Sequence, residues 1–214
     1  MSAVVLYGPP TAGKDTVTAA LCAAEPRFRP VLKLKHGTGR SAGYRFVTAA
    51  ELDDLRRQGR IVVETQRYGN VYAVDQLSVT RPQDEGRIPV THIGNVTDLR
   101  TLVSRTTATS WLRVLLWVPR DVCEARSRER GDTDTPQRLI AWDETAQDLL
   151  HSDVRDLFHV VVRTDHADPA LVAKQIAHAL DGTADPLSRE ELFSALGLSP
   201  DESAARRITA ARHT

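Results

Sequence analysis

Lys14 closes a short run, "GPPTAGKDT", from Gly8 to Thr16. Gly8 and Gly13, with Pro9, Pro10, Thr11 and Ala12 between them and Lys14 directly after, have the spacing of a phosphate-binding loop, G-x-x-x-x-G-K-[ST]. Such a loop works because glycine lets successive backbone N–H groups curl around an anion. The helix N-terminus that follows also favours negative charge. Lys14 would neutralise the β and γ oxygens of a nucleoside triphosphate, a catalytic role as well as a binding one. Asp15 breaks the pattern, since it stands where a Ser or Thr hydroxyl is expected. An ionised carboxylate cannot donate to phosphate, but it can hold Mg²⁺, a hard cation that takes oxygen ligands. The run therefore reads as a metal-dependent variant, with Asp15 on the metal and the Thr16 hydroxyl on a phosphate.

A loop of this kind must join a buried strand to a helix. "AVVLYG" (3–8) is an apolar run ending in glycine, and "KDTVTAALCAA" (14–24) has apolar residues at helical spacing. Strands are predicted for "PVLKLK" (30–35), "YRFV" (44–47), "RIVVET" and "RYGNVYAV" around a turn, "RIPVTHIG" (87–94), "WLRVLLWV" (111–118) and "LFHVVVRT" (157–164). Helices are predicted for 48–59, capped by Thr48 with Glu51 three residues on, and for "NVTDLRTLVSR". Further helices follow Pro119 and Pro136 and run through "PALVAKQIAHAL" (169–180). Strands and helices alternate, so the class is α/β. Two short helices, 188–198 and 199–212, are expected in the tail.

The chain has 214 residues, 41% of them hydrophobic, which suits one domain with an appendage. Its 28 basic and 28 acidic residues balance, so no overall charge favours nucleic acid or an acidic membrane. Cys22 and Cys123 have no metal-ligand spacing, and no stretch reaches the roughly 18 apolar residues of a membrane span. These features predict a reduced, cytoplasmic protein without a signal peptide. Trp111, Trp117 and Trp142 read as core.

The middle of the chain, "YRFVTAAELDDLRRQGRIVVETQRYGNVYAV" (44–74), resembles the acceptor-binding insert of guanylate kinases. "RSRERG" (126–131) and "QRL" (137–139) are similar to the start and the closing arginine of that family's lid. The resemblance runs over roughly residues 3–181. It implies a P-loop NTPase kinase with a parallel five-stranded core, a small β-rich acceptor insert near 36–90 and a helical lid near 126–140. The kinase domain would be 1–183 and a helical tail 184–214. ATP and Mg²⁺ are implied as cofactor and metal. Arg130 and Arg138 would stabilise the transferring phosphoryl, and Arg126 would join the nucleotide site. Tyr44 and Tyr72 match the two tyrosines that hold the acceptor's phosphate.

The guanine-reading positions do not match. Val63 stands at the acid, with Glu64 one place off and so on the opposite strand face. Val74 stands at the base-reading hydroxyl, and His92 and Gly94 replace two acids of the next strand. Ribose 1,5-bisphosphate kinases have G-K-D-[ST] loops, apolar residues at these positions and an S-A-G turn, to which "RSAG" (40–43) is similar. This chain lacks that branch's T-R pair before the turn, has a shorter lid, and ends its late strand with Arg163 and Thr164. Lys35 and Arg40 are further candidates for the acceptor phosphate. His92 suits acceptor binding, deprotonation of a hydroxyl, or a purely structural role.

The expected reaction is transfer of the γ-phosphoryl of ATP to a phosphorylated small molecule, with a sugar phosphate favoured. A nucleoside monophosphate kinase and a catalytically silent binding module are the alternatives. No nucleic-acid or membrane partner is expected, and the reading leaves room for a homodimer.

Overall fold

The computed structural model describes residues 1–39, 41–67, 69–182 and 184–198. β1 (Ser2–Tyr7) leads into α1 (Lys14–Ala24), followed by β2 (Phe28–Pro30), β3 (Lys33–His36) and β4 (Tyr44–Phe46). Then come α2 (Ala49–Arg57), β5 (Ile61–Arg67), β6 (Asn70–Asp75), α3 (Gln76–Asp84), β7 (Ile88–Ile93) and α4 (Val96–Arg105). β8 (Ser110–Trp117), α5 (Arg120–Glu129), α6 (Thr135–His151), β9 (Val160–Arg163), α7 (Pro169–Asp181) and α8 (Arg189–Leu196) follow.

Five parallel strands, in the order β2-β7-β1-β8-β9, form the main sheet. Residues 3–7 of β1 are fully buried, as a parallel strand covered on both faces requires. The expected α/β P-loop architecture is therefore present. Trp111, Trp117 and Trp142 lie in this core, as does Cys123, while Cys22 is half-buried at its margin. α8 adds Leu192, Phe193 and Leu196 to the same core, so the start of the expected tail is packed. The helix expected at 199–212 lies outside the described residues. No helix among the described residues is long and apolar enough to cross a membrane.

A second sheet, β4-β3-β6-β5, stands apart from the first in hydrogen bonding. Leu34 and Ala73 join Val47 and, from α2, Leu52 and Leu55 in a small core of their own. α2 starts at the predicted capping box, with Thr48 N–H donating to Glu51 and Glu51 N–H to Thr48 Oγ1.

Two sequence expectations are corrected. "PVLKLK" is not one strand: Pro30 ends β2, an edge strand of the main sheet, and Lys33 begins β3 of the second sheet. Val31 N–H still donates to Val90 O of β7 at 2.8 Å, and the chain then crosses to the second sheet before Lys33. α3 was not among the predicted helices, and it carries Pro82 inside it. The helix forms all the same, with Asp75 capping Leu77 N–H and Val79 buried.

Candidate active site

The phosphate loop sits at the C-terminal end of β1, where open α/β sheets bind ligands. Gly8 has φ of 149° and Gly13 a left-handed φ of 82°. Gly13 is the N-cap of α1 and supplies no side chain, so the first N–H groups of the helix face outward for an anion. Thr11 also holds a positive φ, 60°. Cys123 Sγ reaches Pro10 O at 3.5 Å, and the buried Thr164 hydroxyl donates to Ala12 O at 3.1 Å, which props the loop from behind. Arg126 donates to Thr11 O and Thr164 O, flanking the loop as a nucleotide-binding residue would. Thr16 is exposed one residue beyond Asp15.

Lys14 Nζ folds back onto Gly8 O at 2.6 Å and Pro9 O at 2.7 Å. Desolvation in the loop holds its ammonium down to about 7, against the pull of Asp15 and with help from the charges of Lys33 and Arg67. A bound phosphate would favour the charged form. Between pH 7 and the ordinary lysine range, anion binding should therefore take up a proton, so affinity for ADP should fall as pH rises, by up to about tenfold per unit. Below pH 7 the ammonium is already charged and the dependence should vanish. In the empty protein the unfolded chain holds more protons over this window, so stability should rise with pH from about 7 towards 10.5. Calorimetry in buffers of different ionisation enthalpy reads the proton uptake. A pH-independent affinity would mean that Lys14 is already charged in the empty loop.

Asp15 lies at the exposed mouth of the loop, its side chain 64% exposed, with Oδ1 3.6 Å from His92 Nδ1. His92 Nε2 pairs with Thr18 Oγ1 at 2.8 Å. Among the described residues no three His, Cys, Asp or Glu side chains gather into a metal cage. Mg²⁺ does not need one, because it keeps several waters and binds through one or two carboxylates plus phosphate oxygens. A single carboxylate beside a phosphate loop fits that demand.

The second sheet presents its other face to this cleft. β3, β4 and β6 register Lys33 with Tyr44, Lys35 with Phe46 and Lys35 with Tyr72. Lys35 is 3% exposed, and its Nζ lies 5.5 Å from the ring centre of Tyr44, 5.2 Å from Phe46 and 5.6 Å from Tyr72. The two tyrosine rings are 5.3 Å apart. Three predicted acceptor residues thus form one cationic, aromatic cluster. Arg40 lies outside the described residues. A cavity of about 620 Å³ opens between this sheet and α1, lined by Asp15, Thr18, Lys33, Tyr44 and His92 at one end.

Val63 and Val74 are buried in the main core. Glu64 is on the opposite face, held by two hydrogen bonds from Arg56 of α2 at 2.8 and 2.6 Å. The carboxylate nearest in sequence to the base-reading position is thus engaged elsewhere.

Of the lid candidates, Arg130 and Arg138 share one carboxylate, Asp132. Arg130 pairs with Asp132 at 3.0 Å, and Arg138 with Asp132 at 3.2 Å and Asp134 at 2.7 Å. Arg138 is close enough to Cys123 for its charge to act on that thiol.

Lys33, Thr65 and Arg67 were not singled out from the sequence, and Thr164 was noted only as a departure at the end of the late strand. The signal for the first three was strand alternation: Lys33 precedes Lys35 by two, and Arg67 follows Thr65 by two. Burial holds the Lys33 ammonium down to about 8, with Asp98 opposing and Arg67 adding to the shift. Thr65 Oγ1 donates to Asp98 of α4.

No protein-family model matches this chain. No curated protein matches its sequence either. Among solved structures, guanylate kinase from Anaplasma phagocytophilum superposes with a TM-score of 0.59 at 18% identity, over 91% of this chain and 94% of that one. The tunicamycin resistance protein of Deinococcus radiodurans aligns with a TM-score of 0.42 at 16% identity, over 83% of this chain and 95% of that one. The fold is that of a P-loop NTPase kinase.

Proposed function

We propose that this chain is an ATP-dependent phosphotransferase that moves the γ-phosphoryl onto the phosphate of a small molecule, with a sugar phosphate as the favoured class. What supports this reading is a cavity lined by Asp15, at the end of the phosphate loop, and by Tyr44, whose ring belongs to the Lys35 and Tyr72 cluster. An acceptor phosphate oxygen would attack the γ-phosphorus, the bond to the β-phosphate oxygen would break, and ADP would leave. Lys14 would draw off charge from the donor phosphates, and closure of the lid would bring in Arg130 and Arg138. Asp15 would hold Mg²⁺, which when bound neutralises phosphate charge.

Buried Val63 and Val74, with Glu64 tied to Arg56, offer a guanine edge no partners. Sites built to hydrogen-bond a group discriminate by about 10⁴–10⁵, and apolar surface cannot. A screen with labelled ATP over sugar phosphates and nucleotides tests this. Sugar phosphates should accept phosphoryl, and GMP should be a poor acceptor. Tyr72→Phe should raise the acceptor KM and leave the KM for ATP unchanged. A strong preference for GMP would give the nucleoside monophosphate reading, and nucleotide binding with no transfer to any acceptor would give the binding module.

A further inference from the structure

Arg67 ends β5 on the cleft face of the second sheet, two residues beyond Thr65 and in register with Asn70. Its guanidinium reaches across to the C-terminal end of β7 in the main sheet. A Cβ at Gly94 would lie 3.2 Å from Nη1 and 3.9 Å from Cζ, so the absent side chain at 94 is the space the guanidinium fills. Nη2 lies 3.6 Å from Glu144 of α6, too long for a hydrogen bond, and that carboxylate is 59% exposed. The ion pair is loose and wet, so it does not commit the fork of donors. Arg67 is also near enough to both Lys14 and Lys33 to repel their charges. Cations from the P-loop, β3 and β5 thus converge beside the loop, with Asp15 and Asp98 offsetting part of their charge.

We propose that Arg67 contacts the γ-phosphoryl group of ATP from the side of the second sheet, opposite the lid, and so acts as an additional catalytic arginine. This rests on the phosphotransferase reading. A planar guanidinium suits a phosphoryl group because it can donate two parallel hydrogen bonds to its oxygens. Its placement at the end of an insert strand means that the element carrying the acceptor cluster also carries a contact to the group in transit.

The test needs no acceptor. Affinities of ADP and of the non-hydrolysable β,γ-imido analogue of ATP are measured by calorimetry, with Mg²⁺, on the full chain. Arg67→Ala should weaken the imido analogue by at least about tenfold relative to ADP, the scale of losing one charge-assisted contact. Arg67→Lys should restore part of that ratio. Glu144→Gln breaks the ion pair but keeps the guanidinium, and it should leave the ratio unchanged. An unaltered ratio in Arg67→Ala overturns the proposal and leaves the kinase reading standing. Loss of the ratio in Glu144→Gln to the same extent also overturns it, because Arg67 would then act only by holding α6. Failure of the native protein to bind either nucleotide removes both the kinase reading and this inference.

Discussion

Lys14→Ala should lower kcat/KM for phosphoryl transfer by at least about 10²-fold while the protein stays folded. Removing one preorganised electrostatic contact to a developing charge has that scale. The ammonium is the charged group on the loop itself, and it rests on Gly8 O and Pro9 O ready to be drawn onto phosphate. Folding should hardly suffer, since the native fold gains little from a lysine whose charge it disfavours. Lys14→Arg should not rescue the rate, because a planar fork cannot take the place of a compact ammonium among close-packed loop atoms. Steady-state kinetics beside a thermal melt checks the point. Near-normal turnover in a folded Lys14→Ala protein would remove the P-loop from the mechanism.

Gly8→Ala should damage both stability and nucleotide binding. A Cβ there would stand 2.1 Å from Leu116 O, a backbone atom of the neighbouring central strand, and the φ of 149° is one that side chains rarely adopt. Neither strand nor loop can move aside without breaking the sheet pairing of β1 with β8. We expect a loss of about 3 kcal/mol or more, the upper range for a point substitution. The melting temperature should then fall by roughly 6–12 °C for a domain of this size. Gly13→Ala is the control. Its nearest atom, Thr164 Oγ1, is 3.9 Å away, so the cost there is the left-handed φ alone, about 1–2 kcal/mol. Equal melting temperatures for the two variants would contradict the steric argument.

By itself the sequence determined what depends on neighbours along the chain. The glycine spacing from Gly8 to Lys14, the apolar run before it and the capped helix from Thr48 are short-range features, and each formed as read. Alternation in a strand also settled that Glu64 would turn away from the cleft, and it pairs with Arg56 on the far side. What needed the tertiary structure was which residues from distant segments meet. Only sheet register brings Lys35 between Tyr44 and Tyr72, since those residues belong to three strands. Only the approach of β5 to β7 pairs Arg67 with the empty side of Gly94. In a chain rich in arginine, no one-dimensional signal separates an arginine at a phosphate from one in solvent. The proposed lid shows the same limit: Arg130 and Arg138 were chosen by position alone, and the structure adds that both meet Asp132 in the turn between α5 and α6. Local chemistry is written in spacing, whereas a binding site depends on long-range packing, where burial and register choose among many equivalent side chains.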